Sequence, residues 1–218
     1  MKQVLLYLLI SLLCAGAYAQ TVADIARRER DVRAPLLTLT AERATTPADI
    51  GALKDDVFRF YDVRGATAAE LRTDIARQGP ISEGTRQQGF TNWRINWQPL
   101  TVSSGGKCSV ASMNVSLTVE MVIPRWVNEV GAQTALSEGW RQYLTGLLLH
   151  EHGHKDIAIA AAEEVRQLSK TANPQATCAA AIAVADAAGK AIVDKTVARQ
   201  RQYDKETEHG RGQGVRLP

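Results

Sequence analysis

Three of the chain's four histidines, His150, His152 and His154, fall inside the stretch LLLHEHGHKDIA at residues 147–158, and the fourth, His209, stands near the C-terminus. His150, Glu151 and His154 fit the pattern H-E-x-x-H. On a helix turning about 100° per residue, His150 and His154 lie about 40° apart and one turn along, so both imidazoles can bind one ion while Glu151 stands close to its water. Zinc takes neutral imidazole nitrogens at ~2.0–2.1 Å, and a coordination position left to water lowers that water's pKa to about 7. Glu151 is then the expected general base, passing the proton on to a leaving amine. His152 points about 200° from His150 and takes a surface or supporting role. Gly153 costs about 1 kcal/mol relative to alanine inside a helix, which makes sense where backbone or substrate comes close.

A catalytic zinc needs a third protein ligand. Asp156 is about 240° round the helix from His150, on the wrong face. Glu163 and Glu164 lie too far along the same helix to reach the ion. The remaining candidates lie in YDKETEHGRGQG at residues 203–214, where His209 beside Gly210 is the expected third ligand and Asp204 and Glu208 are the alternatives. Tyr203 is a candidate donor to the oxyanion formed when water adds to a carbonyl, against the plainer role of packing the end of a helix. The plain reading of the histidines is a helix with a polar face. Against it, Tyr143 and Leu147 form an apolar stripe that runs into His150 and His154, so these face an interior where uncompensated imidazoles are costly.

The elements that must position these residues are readable from periodicity. VFRFYDVRG at residues 57–65 reads as a strand, followed by a helix with Thr67 as cap and Glu70 three residues on. In FTNWRINWQPL, Trp93, Ile95 and Trp97 alternate with polar residues. Met113, Val115, Leu117, Val119, Met121 and Ile123 do the same more strongly, so two strands joined through SSGGK should pair antiparallel, with Pro124 stopping the second. From Ser137, taken as a cap, Trp140, Tyr143, Leu144, Leu147 and Leu148 recur at helical spacing, and the pattern continues to about Leu168 before Asn173-Pro174 ends it. An alanine-rich helix runs from Gln175 to about Lys205, with Ile182, Ala185, Ile192, Val193 and Val197 as its expected buried edge.

With 218 residues and 45% apolar content the chain can build one domain with a real core. Residues 1–19 read as a signal peptide: one lysine, an apolar run from Val4 to Leu13, and Ala17-Tyr18-Ala19 as the cleavage signal. That run is shorter than the about 20 residues of a membrane span. The net charge of only +3, scattered along the chain, names no nucleic-acid partner. Cleavage leaves Cys108 and Cys178, an even pair expected to form a disulfide in an oxidising compartment. Residues 20–56, interrupted by Pro35 and Pro47, read as a helical and irregular extension without assigned function.

The stretches YDVRGATAAELRTDIARQGP, TNWRINW, the Cys108 strand ending in IPRW, LLLHEHGHKDIA and YDKETEHGRGQG together resemble a bacterial family of predicted secreted zinc-dependent proteases, a domain of unknown function. They cover most of residues 57–214. The resemblance implies that His150, Glu151 and His154 fill the ligand and base positions. Its C-terminal pattern matches Tyr203, Asp204, Thr207, His209 and Gly210, which favours His209. The expectation is an α+β, zincin-like domain over residues 57–218, an antiparallel sheet packed against the H-E-x-x-H helix and a long C-terminal helix. The expected activity is that of a periplasmic or secreted zinc metallopeptidase acting on peptides or proteins, with cell-wall peptides among the candidate substrates. The rival expectation is a non-catalytic metal-binding or scaffold protein of the envelope.

Overall fold

In the computed structural model, residues 57–127 and 129–217 are described, so the signal-peptide and 20–56 expectations lie outside the described residues. The chain runs β1 (Val57–Val63), α1 (Ala68–Gln78), β2 (Ile81–Ser82), β3 (Thr85–Arg86), β4 (Phe90–Ser104), β5 (Lys107–Trp126), α2 (Thr134–Thr171) and α3 (Cys178–Glu206), closing with a 3-10 turn at Arg211–Gln213. Among the described residues the fold is α+β: a three-stranded sheet in the order β1-β5-β4, a two-stranded hairpin of β2 and β3, and three helices.

The alternation in β5 places Met113, Val115, Leu117, Val119, Met121 and Ile123 in the core. β4 and β5 pair antiparallel as the sequence indicates, with a register shift after Leu100. Two features depart from the expectation. The sheet is mixed, because β1 lies parallel to β5, with Val57 opposite Glu120 and Val63 opposite Trp126. Pro124 does not end β5, which continues to Trp126. Pairing with β4 stops at Val122, so the prolyl nitrogen, which cannot donate, sits where β5 is flanked by β1 alone.

The capping box at the start of α1 is formed: Thr67 Oγ1 accepts from the Glu70 backbone N–H at 3.2 Å and Glu70 Oε2 accepts from the Thr67 N–H at 3.1 Å. Helix α2 begins at Thr134, one turn before Ser137, which is buried rather than capping. Trp140, Tyr143, Leu147, Ala158, Ala161 and Val165 form its core face. Thr177 caps α3, its hydroxyl accepting from Ala180 N at 3.1 Å.

The buried stripe of α3 departs in part from the expected one: Ala185 is buried and Ile192 and Val193 pack half-buried against the core, but Ile182 and Val197 are exposed, and the buried positions are Ala181, Ala185, Gly189, Thr196 and Gln200. Small residues are needed there because a Cβ on Gly189 would stand 2.7 Å from the Trp97 ring. The indole passes beneath the helix and donates to Asp186 Oδ1 at 3.0 Å.

Cys108 and Cys178 form the expected disulfide. Beside it, Cys108 and Gln175 exchange two backbone hydrogen bonds of 2.8 Å, so the start of α3 is fixed to the start of β5. A cross-link closing a loop of 70 residues removes about 4 kcal/mol of denatured-state chain entropy in the simplest treatment. Its effect on the site is indirect: it anchors one end of the helix whose other end carries Gln200, Tyr203 and Asp204.

A candidate metal centre between two helices

His150 and Glu151 are 5% and 3% exposed, so the motif faces the interior of the fold as the apolar stripe requires. Opposite them lies the C-terminal part of α3. His150 Nε2, His154 Nε2 and Asp204 Oδ1 converge, with separations of 3.3 Å between the two nitrogens, 3.2 Å from His150 to Asp204 and 3.1 Å from His154 to Asp204. Metal bonds of ~2.0–2.1 Å in a tetrahedron separate neighbouring donor atoms by about 3.3–3.4 Å. The triangle therefore has the size of one tetrahedral face, and these three residues could hold a metal ion.

The partners on the far side of each ring agree with that role. Gln200 Nε2 donates to the His154 carbonyl at 2.9 Å, which turns its Oε1 toward His154 Nδ1 at 2.5 Å. A carbonyl cannot donate, so the amide orientation is fixed and Nδ1 carries the proton. His150 Nδ1 lies 3.0 Å from Gln213 Oε1 and 3.3 Å from Thr207 Oγ1. The Thr207 hydroxyl gives its own proton to the Tyr203 carbonyl at 2.8 Å, leaving its oxygen to accept. With a proton on each Nδ1, both Nε2 lone pairs would face a carboxylate oxygen, an arrangement that repels itself unless a cation or a proton lies between.

Charge in the chain responds to that crowding. Burial works against ionisation of Asp204, but hydrogen bonds and charge from His150 and His154 outweigh it and hold the carboxyl far below its usual range. Burial likewise opposes the His154 imidazolium. Asp204, Gln200 and Glu151 more than offset it, raising the His154 pKa above its ordinary value. Glu151 is shifted upward, chiefly by desolvation, with the Thr91 hydrogen bond and the two histidines opposing the shift.

Glu151 is held from the sheet side. The Thr91 hydroxyl lies 2.7 Å from Glu151 Oε2 and 3.1 Å from the Glu151 carbonyl. The other carboxylate oxygen lies against Gly89, where a Cβ would approach Oε1 to 2.8 Å. The first residues of β4 and the loop before it therefore form a socket for the carboxylate. Nothing in the alternation of β4 announces this; a threonine in a row of half-buried aromatics is its one trace.

The group of converging donor atoms contains Asp204, one of the alternatives in the sequence, and not the expected His209. His209 lies outside the donor group; its side chain is 72% exposed and its Nδ1 is 3.7 Å from Asp204 Oδ1. The backbone enters the left-handed region at Glu208 and His209, both with φ of 52°, beyond the end of α3 at Glu206, whereas Asp204 is still on α3.

Tyr203 packs rather than reaching into open space. Its ring stacks on His150 with centroids 5.2 Å apart and 12° between planes. Its hydroxyl donates to the His150 carbonyl at 3.3 Å and accepts from Gln213 Nε2 at 2.9 Å. Gly153 is explained by the same ring, because a Cβ there would stand 2.0 Å from Tyr203 Oη. The close approach inferred at Gly153 is by a side chain of α3.

Residues 58–210 match the family described as "Bacterial protein of unknown function (DUF922)". The chain belongs to this family. The matched region contains His150, Glu151, His154 and Asp204 and ends at Gly210, before Gln213. Neither the curated proteins nor the solved structures include a match to this DUF922 chain. Among the described residues, no helix is long and apolar enough to cross a membrane.

Proposed function

We propose that this DUF922 protein is a zinc-dependent metallopeptidase of zincin-like organisation, acting in the periplasm or outside the cell on peptide bonds of proteins or cell-wall peptides. The observation that carries the reading is the convergence of His150 Nε2, His154 Nε2 and Asp204 Oδ1 within 3.1–3.3 Å of one another, with a buried glutamate next in sequence to one of them. Two imidazoles and a carboxylate form a ligand set used for hydrolytic zinc. Bound there, zinc supplies a Lewis acid and lowers the pKa of a water to about 7.

The chain's own residues supply the proton handling. Glu151, held by Thr91 through one oxygen, takes the proton of the attacking water and delivers it to the leaving nitrogen. Desolvation, which raises its pKa, makes it a stronger base than an exposed carboxylate, the direction a general base needs. Tyr203 supports the site through His150, and its bonded hydroxyl is an unfavourable oxyanion donor.

One observation favours the rival reading of a non-catalytic metal-binding protein of the envelope: Glu151 is only 3% exposed. The two readings separate on one experiment. Purified mature protein is tested for cleavage of casein and of peptidoglycan peptides, with and without chelator, beside Glu151→Gln. The peptidase reading predicts that the variant keeps its metal and loses at least ~100-fold in turnover, the scale of a general base. Equal turnover by the variant, or no cleavage of any amide in a broad peptide library, rejects it.

A further inference from the structure

We infer that Gln200 and Gln213 are positioning residues that lock His154 and His150 as Nδ1–H tautomers, so that both Nε2 lone pairs are presented beside Asp204. The inference rests on the metal-site reading for its purpose, though the tautomers themselves can be observed without metal.

The two glutamines reach the rings from different elements. Gln200 lies four residues before Asp204 on α3, on the same helix face, and grips His154 twice: Nε2 donates to the His154 carbonyl at 2.9 Å and Oε1 accepts from Nδ1–H at 2.5 Å. A ring rotated about its χ2 axis would lose one of those contacts, so the amide fixes orientation as well as protonation.

Gln213 arrives by way of a C-terminal hook. Gly210 and Gly214, with φ of 79° and 97°, bracket the 3-10 turn that carries it. Val215, 3% exposed, then packs into the core. Room for this segment on α2 comes from Gly146, where a Cβ would stand 2.5 Å from the Gly214 carbonyl carbon. Gly146 is four residues before His150, one helical turn, so the docked tail places the Gln213 amide beside the His150 ring. Its Oε1 accepts from Nδ1–H at 3.0 Å while its Nε2 donates to Tyr203 Oη at 2.9 Å.

The consequence is chemical. An imidazole free to choose would place its proton on Nε2 next to Asp204, forming a charge-assisted hydrogen bond to the carboxylate that closes the site to a cation. With Nδ1 committed to an amide oxygen, Nε2 has no proton to give. An amide oxygen is a neutral acceptor, unlike the carboxylate that often supports ligating histidines, so it sets the tautomer while adding no charge to the site.

The test uses chelated, full mature protein labelled with 15N, at a pH alkaline enough for both rings to be neutral, with long-range proton–nitrogen correlations of His150 and His154. The expected result is a protonated Nδ1 and a bare Nε2 on both rings. A protonated Nε2 on either ring of the wild-type protein overturns the inference. Zinc affinity by chelator competition is measured on folded variants alongside. Gln200→Ala and Gln213→Ala are each expected to weaken zinc binding ~10–100-fold and to populate the Nε2–H form. Gln200→Glu and Gln213→Glu keep an acceptor for Nδ1–H but lose the amide donor and add a charge, so they should keep the tautomer while zinc affinity changes. Should the alanine variants fail to fold, the wild-type spectrum and the glutamate variants decide. Glutamate variants with the Nε2–H form, or alanine variants binding zinc as wild type does, overturn the inference. Nδ1–H tautomers in a protein that binds no divalent metal would leave the lock standing and defeat the metallopeptidase reading instead.

Discussion

Replacing Gly153 by alanine should destabilise this protein, although the same change in an ordinary exposed helix stabilises it. Propensity alone favours alanine by about 1 kcal/mol. Against that, the added Cβ would lie 2.0 Å from Tyr203 Oη and 2.3 Å from Cζ, where relaxed carbon contacts are about 3.5–4.0 Å. The tyrosine must withdraw by ~1.5 Å to restore such a contact, and it is held by the His150 carbonyl, by Gln213 and by stacking on His150. Overpacking costs ~1–3 kcal/mol and two lost hydrogen bonds about 1 kcal/mol each. The net expectation is a loss of about 2–4 kcal/mol, read by urea denaturation of chelated protein at constant m. The sign should reverse in a Tyr203→Ala background, where Gly153→Ala regains its propensity advantage; coupling of this kind is the signature of direct contact. A Gly153→Ala protein as stable as the parent, or more so, would refute the packing of α3 on α2 at the metal centre.

Two further predictions address Glu151 and the pH response. In Gly89→Ala the new Cβ would meet Glu151 Oε1 at 2.8 Å and the buried Leu147 Cδ1 at 3.0 Å; such overpacking should cost ~1–3 kcal/mol of stability while the displaced base costs up to ~100-fold in cleavage, and unchanged cleavage contradicts the socket. In chelated protein, the raised pKa of His154 means the native state holds that proton more tightly than the unfolded chain, so its stabilisation is full below the ordinary value of 6.5 and fades as pH rises through the higher folded value. Asp204, lowered from 3.8, contributes above its ordinary value and loses that contribution only as pH falls through its depressed folded one. Metal requires deprotonated imidazoles, so the difference in Tm between zinc-loaded and chelated protein should widen from mildly acidic to mildly alkaline pH; a constant or narrowing difference contradicts the shared His154–Asp204 site.

The parts of this structure legible in the sequence are those with local causes. The alternation of β5, the Thr67–Glu70 capping box and the stripe leading into His150 each state their own geometry within a few residues. The disulfide follows from the pair of cysteines left by the expected signal cleavage and the expectation of an oxidising compartment. What was not legible depends on where distant segments meet. The parallel pairing of β1 leaves no mark in its seven residues. That Asp204 and not His209 joins the donor group depends on how the end of α3 packs against α2, which neither residue type announces. Gln200 and Gln213 belong to no motif, yet each had a faint sign: Gln200 sits one turn before Asp204, and Gln213 lies between glycines in a tail that otherwise had no reason to be ordered. At Gly153 the sequence signals a close approach but not its partner, and nothing marks Gly89 or Gly146 until the neighbouring element that fills each space is seen.

The central claim is that one divalent ion is held by His150, His154 and Asp204. Metal analysis of the purified mature protein, combined with X-ray absorption, tests it most directly when made on the parent, Asp204→Ala and His209→Ala. Since two histidines and a carboxylate also suit iron(II), the metals analysed should include both zinc and iron. The account predicts one zinc per chain with two imidazole nitrogens and a carboxylate oxygen in its shell, lost in Asp204→Ala and retained in His209→Ala. A protein without stoichiometric metal, or one that keeps it in Asp204→Ala and loses it in His209→Ala, would contradict it.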